Sequence, residues 1–291
     1  MHYHLKTINF FEVYIKLRSH LLSFDTPKIM GILNVTPDSF FDGGKYSTEK
    51  EILSRVEQMI SEGADIIDVG AVSTRPGAMD APVEEEQMKI KNAVTLIVKN
   101  FPHIFVSVDT WRSSVAQLAI DSGADIINDI SGGTFDSRMF ETIARLRVPY
   151  ILMHTPAKPK EMQQKIVGGD LLPPMMRFFA TQLQQLKCMG VHDVIIDPGF
   201  GFGKSLEQNY FLLNQLSAFQ IYDCPVLVGV SRKSMIYNLL ETTPAEALNG
   251  TMAVNTLALL NGANILRVHD VRAAVEARTI VAKYIKCKEL N

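Results

Sequence analysis

The sequence predicts a single-domain α/β protein built as a (β/α)8 barrel, the TIM-barrel architecture, and three observations carry that expectation. An apolar run closed by one polar residue, then a loop, then an amphipathic helix recurs down the chain. The runs end at Asn34, Val69, Val108, Asn128, Met153, Ile196, Gly229 and Val268, seven spacings of about 33 residues, close to what roughly 250 residues shared among eight units requires. The 291 residues, 47% of them hydrophobic, suffice for one large core and need no second domain. A doubly wound open sheet is the competing fold, but it rarely needs eight regular units.

Taken in order, residues 1–24 alternate apolar and polar positions well enough for one or two strands or a short helix that plugs the barrel's bottom. They are read as an N-terminal extension packed on a barrel domain of residues 25–291. Glu12, Lys16 and Arg18 interrupt the apolar character a secretory signal requires. The first barrel strand, Ile29 to Leu33, ends on Asn34. A loop follows whose Pro37 and paired Gly43 and Gly44 forbid regular structure. Ser47 or Thr48 before Glu49 and Glu51 starts a helix with Ile52, Val56, Met59 and Ile60 on one apolar face. The second strand, Asp65 to Val69, leads into residues 70–78, where Ser73, Thr74 and Arg75 could bind an anion or a ring, or simply form a solvated turn.

The later units repeat the pattern. Strands three and four end in Ser107 to Thr110 and Ile127 to Ile130, placing Asp109 and Asn128 in apolar surroundings where an unpaired polar group costs about 1–3 kcal/mol. Asp109 could instead cap a helix starting near Arg112. Strand five ends before His154, most simply a structural histidine. Strand six opens into DPGFGFGKS, residues 197–205, whose glycines allow close backbone approach and whose Phe200 and Phe202 offer stacking faces. Strand seven runs into Ser231, Arg232, Lys233 and Ser234 at the start of a helix continuing from Met235 to Leu240, where free amides favour an anion. The last strand ends with Arg267 and His269 on one side of an extended chain, a pair suited to a phosphate or diphosphate. In such a barrel Asn34, Asp109, Asn128, Asp197, Lys233, Arg267 and His269 converge on one mouth.

Bulk chemistry excludes several classes. A net charge of -2, a pI near 6.4 and the lack of a basic run argue against nucleic-acid binding. Cys188, Cys224 and Cys287 are unclustered and odd in number, which suggests neither a disulfide framework nor a zinc site and fits a reducing cytoplasm. The uncharged stretch from Ala247 to Leu266 carries Asn249, Thr251, Asn255, Asn261 and Asn264, too polar to span a bilayer; it reads as a helix against the barrel or a subunit neighbour, then the last strand.

Taken together, NVTPDSF, STRPGA, VDT, NDI, DPGFGFGK, GVSRKS and RVHD resemble the bacterial dihydropteroate synthases of folate biosynthesis, from about Pro27 to the C-terminal helix. The resemblance implies a cytoplasmic, homodimeric barrel transferase that is a sulfonamide target. It joins 6-hydroxymethyl-7,8-dihydropterin diphosphate to p-aminobenzoate, releasing pyrophosphate and 7,8-dihydropteroate. By the same resemblance, Asp109, Asn128, Asp197, Lys233 and Phe202 hold the dihydropterin. Asn34 helps place Mg2+, while Arg267, His269 and Thr74 bind the diphosphate. Phe40, Thr74, Pro76, Phe202, Arg232 and Ser234 frame the p-aminobenzoate site, and Asp42 with Arg75 stabilises a pterin-methylene cation in a dissociative substitution, with Lys233 counted among the catalytic groups. Val72 stands where many relatives have Glu, and MHTPAKPKEMQ replaces the usual opening after strand five. Two other functions use similar tips, a pterin-dependent methyltransferase and a non-catalytic pterin-binding barrel. The first gives no reason for SRKS and RVHD; the second would have lost loop residues that are present here.

Overall fold

The computed structural model describes residues 13–35, 49–72, 82–156 and 170–288. The chain enters as an antiparallel hairpin, β1 (Tyr14–Leu17) and β2 (His20–Ser23), turned at Arg18, whose φ of 55° is the left-handed geometry a tight hairpin needs. Eight parallel strands follow: β3 (Lys28–Asn34), β4 (Ile66–Gly70), β5 (Phe105–Asp109), β6 (Ile126–Asp129), β7 (Tyr150–Met153), β8 (Val194–Asp197), β9 (Leu227–Val228) and β10 (Ile265–Val268). Their hydrogen-bonded order is β8-β7-β6-β5-β4-β3-β10-β9, and a parallel bridge from Ile196 to Val226, just ahead of β9, closes the ring. The strand ends lie within a residue of the positions the sequence predicts.

The helices are α1 (Glu49–Ser61), α2 (Val83–Asn100), α3 (Ser113–Asp121), α4 (Met139–Leu146), α5 (Leu172–Cys188), α6 (Leu206–Asn214), α7 (Ser234–Tyr237), α8 (Leu248–Leu260) and α9 (Val271–Lys288). Strand alternation sorts the core into two apolar parts. Residues such as Leu33, Ile67, Val108, Leu152 and Val268 point outward and pack under the helices, including the α1 face of Ile52, Val56 and Met59. Inward, Met30, Ile66, Ile126, Ile151, Ile195, Leu227 and Ile265 form a floor with Ile15, Leu17 and Phe24 of the hairpin. The hairpin therefore plugs the barrel's bottom. Arg18 fastens it, donating to both Asp125 carboxylate oxygens (2.6 and 2.9 Å) and to the carbonyls of Pro102 and Ile104.

One element departs from expectation. The helix predicted to run to Leu240 ends at Tyr237, because Glu241 takes a left-handed φ of 52° and the Thr242 amide returns to the Tyr237 carbonyl. The uncharged α8 buries Thr251, Val254, Asn255, Ala258 and Leu259 and packs beside α9. Among the described residues no helix is long and apolar enough to cross a membrane.

Candidate active site at the barrel mouth

Above the apolar floor the inward positions become polar. On β4, Asp68 is fully buried; on β5, Ser107 and Asp109 are buried, as are Asn128 on β6 and Asp197 at the end of β8. Period-two alternation puts them there, since Asp68 lies two residues above Ile66 and Asn128 two above Ile126. Arg267 reaches inward from β10: Nε donates to Asp68 Oδ2 at 2.6 Å and Nη2 to Asp109 Oδ2 at 2.8 Å. Asn128 Nδ2 donates to the same Asp68 oxygen at 3.1 Å. Asp109 Oδ1 is buried and finds no partner among the described residues. Burial pushes the Asp109 carboxyl up to about 7, against the pull of Arg267 and with help from Asp68, Glu86 and Asp129. Glu86 of α2 braces the tip from outside by accepting from Thr110 Oγ1 (2.6 Å) and pairing with Arg112.

The loop after β8 forms the next wall. Asp197 Oδ1 accepts from the Gly199 amide at 2.7 Å, and burial raises its carboxyl while Lys233 holds it back. A side chain at residue 199 would place Cβ 2.1 Å from the His154 carbonyl oxygen, so glycine is required there. Lys204, buried, donates to the carbonyls of Gly199 (2.7 Å) and Phe202 (3.1 Å) and so folds the loop on itself. Burial lowers its ammonium to about 7 and the Lys233 ammonium to about 8, Asp197 opposing in both. Lys233 Nζ donates to the Phe200 carbonyl (2.5 Å) and lies 4.6 Å above the Phe202 ring centroid. Phe202 thus presents a ring at the mouth, where it also packs by Trp111, Ile130 and Met153. Phe200 does not: its ring is wholly buried in the outer core, and only its carbonyl serves the site.

The last two loops are zipped together. His269 Nδ1 lies 3.1 Å from Ser231 Oγ, its amide donates to that oxygen, and Arg55 of α1 donates to its carbonyl at 2.6 Å. Burial, with Arg267 adding to it, pushes the imidazole down to about 3, so it is neutral at physiological pH. Arg232, at a left-handed φ of 55°, makes a two-pronged pair with Asp270 (2.8 and 2.9 Å) and donates to the carbonyls of Pro244 and Ala245. Its guanidinium is therefore held against the α7–α8 connection. Ser234 is exposed at the first position of α7, with Lys233 as the preceding cap residue. Asn34 ends β3 with Oδ1 near Gly70, whose missing side chain opens the space between Asn34 and Asp109. His154 is a core group: its ring meets Phe178 edge-on at 5.1 Å and burial lowers its pKa to about 3.

Of the residues expected at the site, Asp109, Asn128, Asp197, Lys233, Arg267 and Phe202 lie together at the barrel mouth, and Asn34, Arg232, Ser234 and His269 sit around them. Phe40, Asp42, Thr74, Arg75 and Pro76 lie outside the described residues. Reading only strand tips passed over Asp68 and Lys204. A lone carboxylate at an inward position of an apolar strand was the available signal for Asp68; nothing local distinguished Lys204 from a solvated lysine. Chemically, the pocket offers carboxylate and amide acceptors opposite cationic donors. That suits a flat heterocycle with an N–H edge and an oxygen, and a polyanion toward the β10 rim.

Known proteins resemble this chain over most of its length. Residues 30–269 match the family model described as pterin binding enzyme. The chain is 42% identical over 270 residues to the dihydropteroate synthase of Escherichia coli K12, covering 92% of this chain and 95% of that one. It is 41% identical to that of Synechocystis over 253 residues, covering 85% and 86% of the two chains. Among solved structures, Yersinia pestis dihydropteroate synthase in a sulfonamide drug complex superposes with a TM-score of 0.90 at 38% identity, covering 93% of this chain and 98% of that one. Xanthomonas albilineans dihydropteroate synthase with 4-aminobenzoic acid gives 0.86 at 36% identity, covering 94% and 98%.

Proposed function

The chain belongs to the pterin binding enzyme family, and we propose that it is a dihydropteroate synthase, condensing 6-hydroxymethyl-7,8-dihydropterin diphosphate with p-aminobenzoate to give 7,8-dihydropteroate and pyrophosphate. The observation that carries the reading is Asp109 Oδ1, buried without a partner among the described residues, next to Asn128 on the neighbouring strand and close to the Lys233 charge. Such an acceptor costs about 1–3 kcal/mol unless a ligand N–H satisfies it. Asp109, Asn128 and Asp197 accept from the N–H groups of the dihydropterin edge, Lys233 meets its carbonyl and ring nitrogen, and Phe202 stacks.

In the substitution, the bond from the pterin methylene carbon to the diphosphate oxygen breaks, the amine nitrogen of p-aminobenzoate bonds that carbon, and the amine proton leaves to solvent. A neutral His269 donates a hydrogen bond to a diphosphate oxygen, Thr74 joins it, and Arg267, whose Nη1 has no partner among the described residues, supplies positive charge from below. Asp42 and Arg75 flank the methylene cation as it forms. Phe40, Thr74, Pro76 and Phe202 frame p-aminobenzoate. Arg232, held by Asp270, lies along its ring, and Ser234 with its amide receives its carboxylate. A sulfonamide occupies the same place.

Mg2+ is the cofactor of this reading. Among the described residues, Asn34 Oδ1 at the end of β3 is the oxygen that would hold the ion, with the substrate's diphosphate oxygens. That donor set fits Mg2+, which keeps several waters and prefers substrate phosphates to an all-protein cage. When bound, it neutralises charge on the leaving diphosphate. The enzyme acts in the cytoplasm as a homodimer. Support for the dimer is the uncharged α8 with exposed Leu257 and, near it in the chain or on the packed α9, exposed Leu239, Leu240, Ile280 and Tyr284.

The test is pyrophosphate release by the purified protein with Mg2+ and the dihydropterin diphosphate, with and without p-aminobenzoate, and mass identification of the pterin product. Release that depends on p-aminobenzoate and yields dihydropteroate is expected. Pterin binding without release points to a non-catalytic barrel, and no pterin binding removes the reading.

A further inference from the structure

Asp68 is fully buried, one layer below the rim, and contacts Asn128, which the reading above gives to the pterin, and Arg267, which it gives to the diphosphate. Its Oδ2 accepts from both Asn128 Nδ2 and Arg267 Nε. A carboxylate only accepts, so the atom of Asn128 that meets it must be the amide nitrogen. Asn128 Oδ1, on the other edge of the amide, is thereby turned away from Asp68 as an acceptor. Arg267 is pinned at two points, Nε by Asp68 and Nη2 by Asp109, which fixes the plane of its guanidinium and leaves Asp109 Oδ1 unspent. Neither bond is a strand-ladder bond, and β4 and β5 are already paired in register through their backbones, Asp68 opposite Ser107.

We propose that Asp68 is a positioning residue for the dihydropterin diphosphate: through Oδ2 it sets the amide direction of Asn128 toward the ring and the plane of Arg267 toward the diphosphate, so that the substrate meets a fixed pattern of acceptors and donors. The proposal rests on the dihydropteroate synthase reading. A carboxylate serving only as an internal ion pair would alter stability and leave ligand discrimination unchanged.

The experiment is calorimetric titration of the full chain with 6-hydroxymethyl-7,8-dihydropterin diphosphate, alongside steady-state kinetics. Asp68→Ala is expected to weaken pterin binding about 10- to 100-fold, since Asn128 and Arg267 lose their common acceptor. KM for p-aminobenzoate at saturating pterin stays within about twofold. Asp68→Asn, which keeps one oxygen able to accept both bonds, restores most of the affinity. In an Asn128→Ala background the loss from Asp68→Ala shrinks, because the pair acts as a unit. If Asp68→Ala does not fold, Asp68→Leu, similar in volume, carries the same comparison. A folded Asp68 variant lacking the acceptor that binds the pterin as tightly as the parent overturns the proposal, as do strictly additive losses with Asn128→Ala. Failure of the unaltered protein to bind the pterin overturns the functional reading itself, and this proposal with it.

Discussion

Lys233 stands with its ammonium 4.6 Å above the centre of the Phe202 ring, so two side chains 31 positions apart in sequence form one wall of the pocket. The ring's negative face offsets part of the cost of burying the ammonium, and the Phe200 carbonyl offsets more. Replacing Phe202 by Leu keeps an apolar side chain but removes that face. Pterin affinity is expected to fall about fivefold, from a cation–π contribution of about 1 kcal/mol, with kcat at saturation little changed. Calorimetric titration reads it, and an unchanged Kd would reduce Phe202 to a space-filling role.

Lys204 is the second expected point of sensitivity. Its ammonium is the donor for the Gly199 and Phe202 carbonyls, so Lys204→Met leaves them without it. Stability is expected to drop by about 2–4 kcal/mol in urea unfolding, and KM for the pterin to rise because Phe202 and the Phe200 carbonyl ride on the same loop. A loss of stability with an unmoved KM would separate the loop from binding.

At the opposite end, Arg18→Ala should reveal the hairpin's contribution. Arg18 joins the plug to Asp125, itself bonded to the Val106 amide at the start of β5. Because the arginine is about one-third exposed, the expected loss is about 1–2 kcal/mol, less than for a fully buried pair. The plug lies below the apolar floor, so kcat and both KM values at 25 °C should match the parent. Denaturant midpoints and steady-state rates decide this together.

The half-buried histidine after β7 gives a pH signature. His154 titrates at about 3 in the folded chain against 6.5 when free, so below pH 6.5 the unfolded chain takes up a proton the native state refuses. The stability from a neutral His154 is whole above pH 6.5 and is lost as pH falls toward 3. Going from pH 7.5 to 5.5, the stability difference between parent and His154→Phe should move by about 1 kcal/mol in the variant's favour. Asp109, whose raised carboxyl acts in the opposite sense, and His269, which acts in the same sense, are common to both proteins and cancel. Parallel urea titrations at the two pH values measure it.

Alone, the sequence determined the architecture and several of the polar side chains at the mouth. Eight apolar runs of strand length with helical repeats between them favour a closed parallel barrel over a doubly wound open sheet at this spacing, and in a barrel a polar residue ending such a run sits at the mouth; hence Asp109, Asn128 and Asp197 were legible, as were the strand ends to within a residue. Tertiary structure alone decided the pairings. Arg267 meets Asp68 and Asp109 across the barrel's interior, 199 and 158 residues away; Lys204 turns inward to backbone carbonyls, Phe200 buries its ring while Phe202 shows its own, and α7 stops after four residues. Local pattern reports which face a side chain takes, because backbone periodicity sets that. Which partner it finds there depends on closure of the ring, which brings distant strands together and makes an unpartnered buried charge too costly to leave.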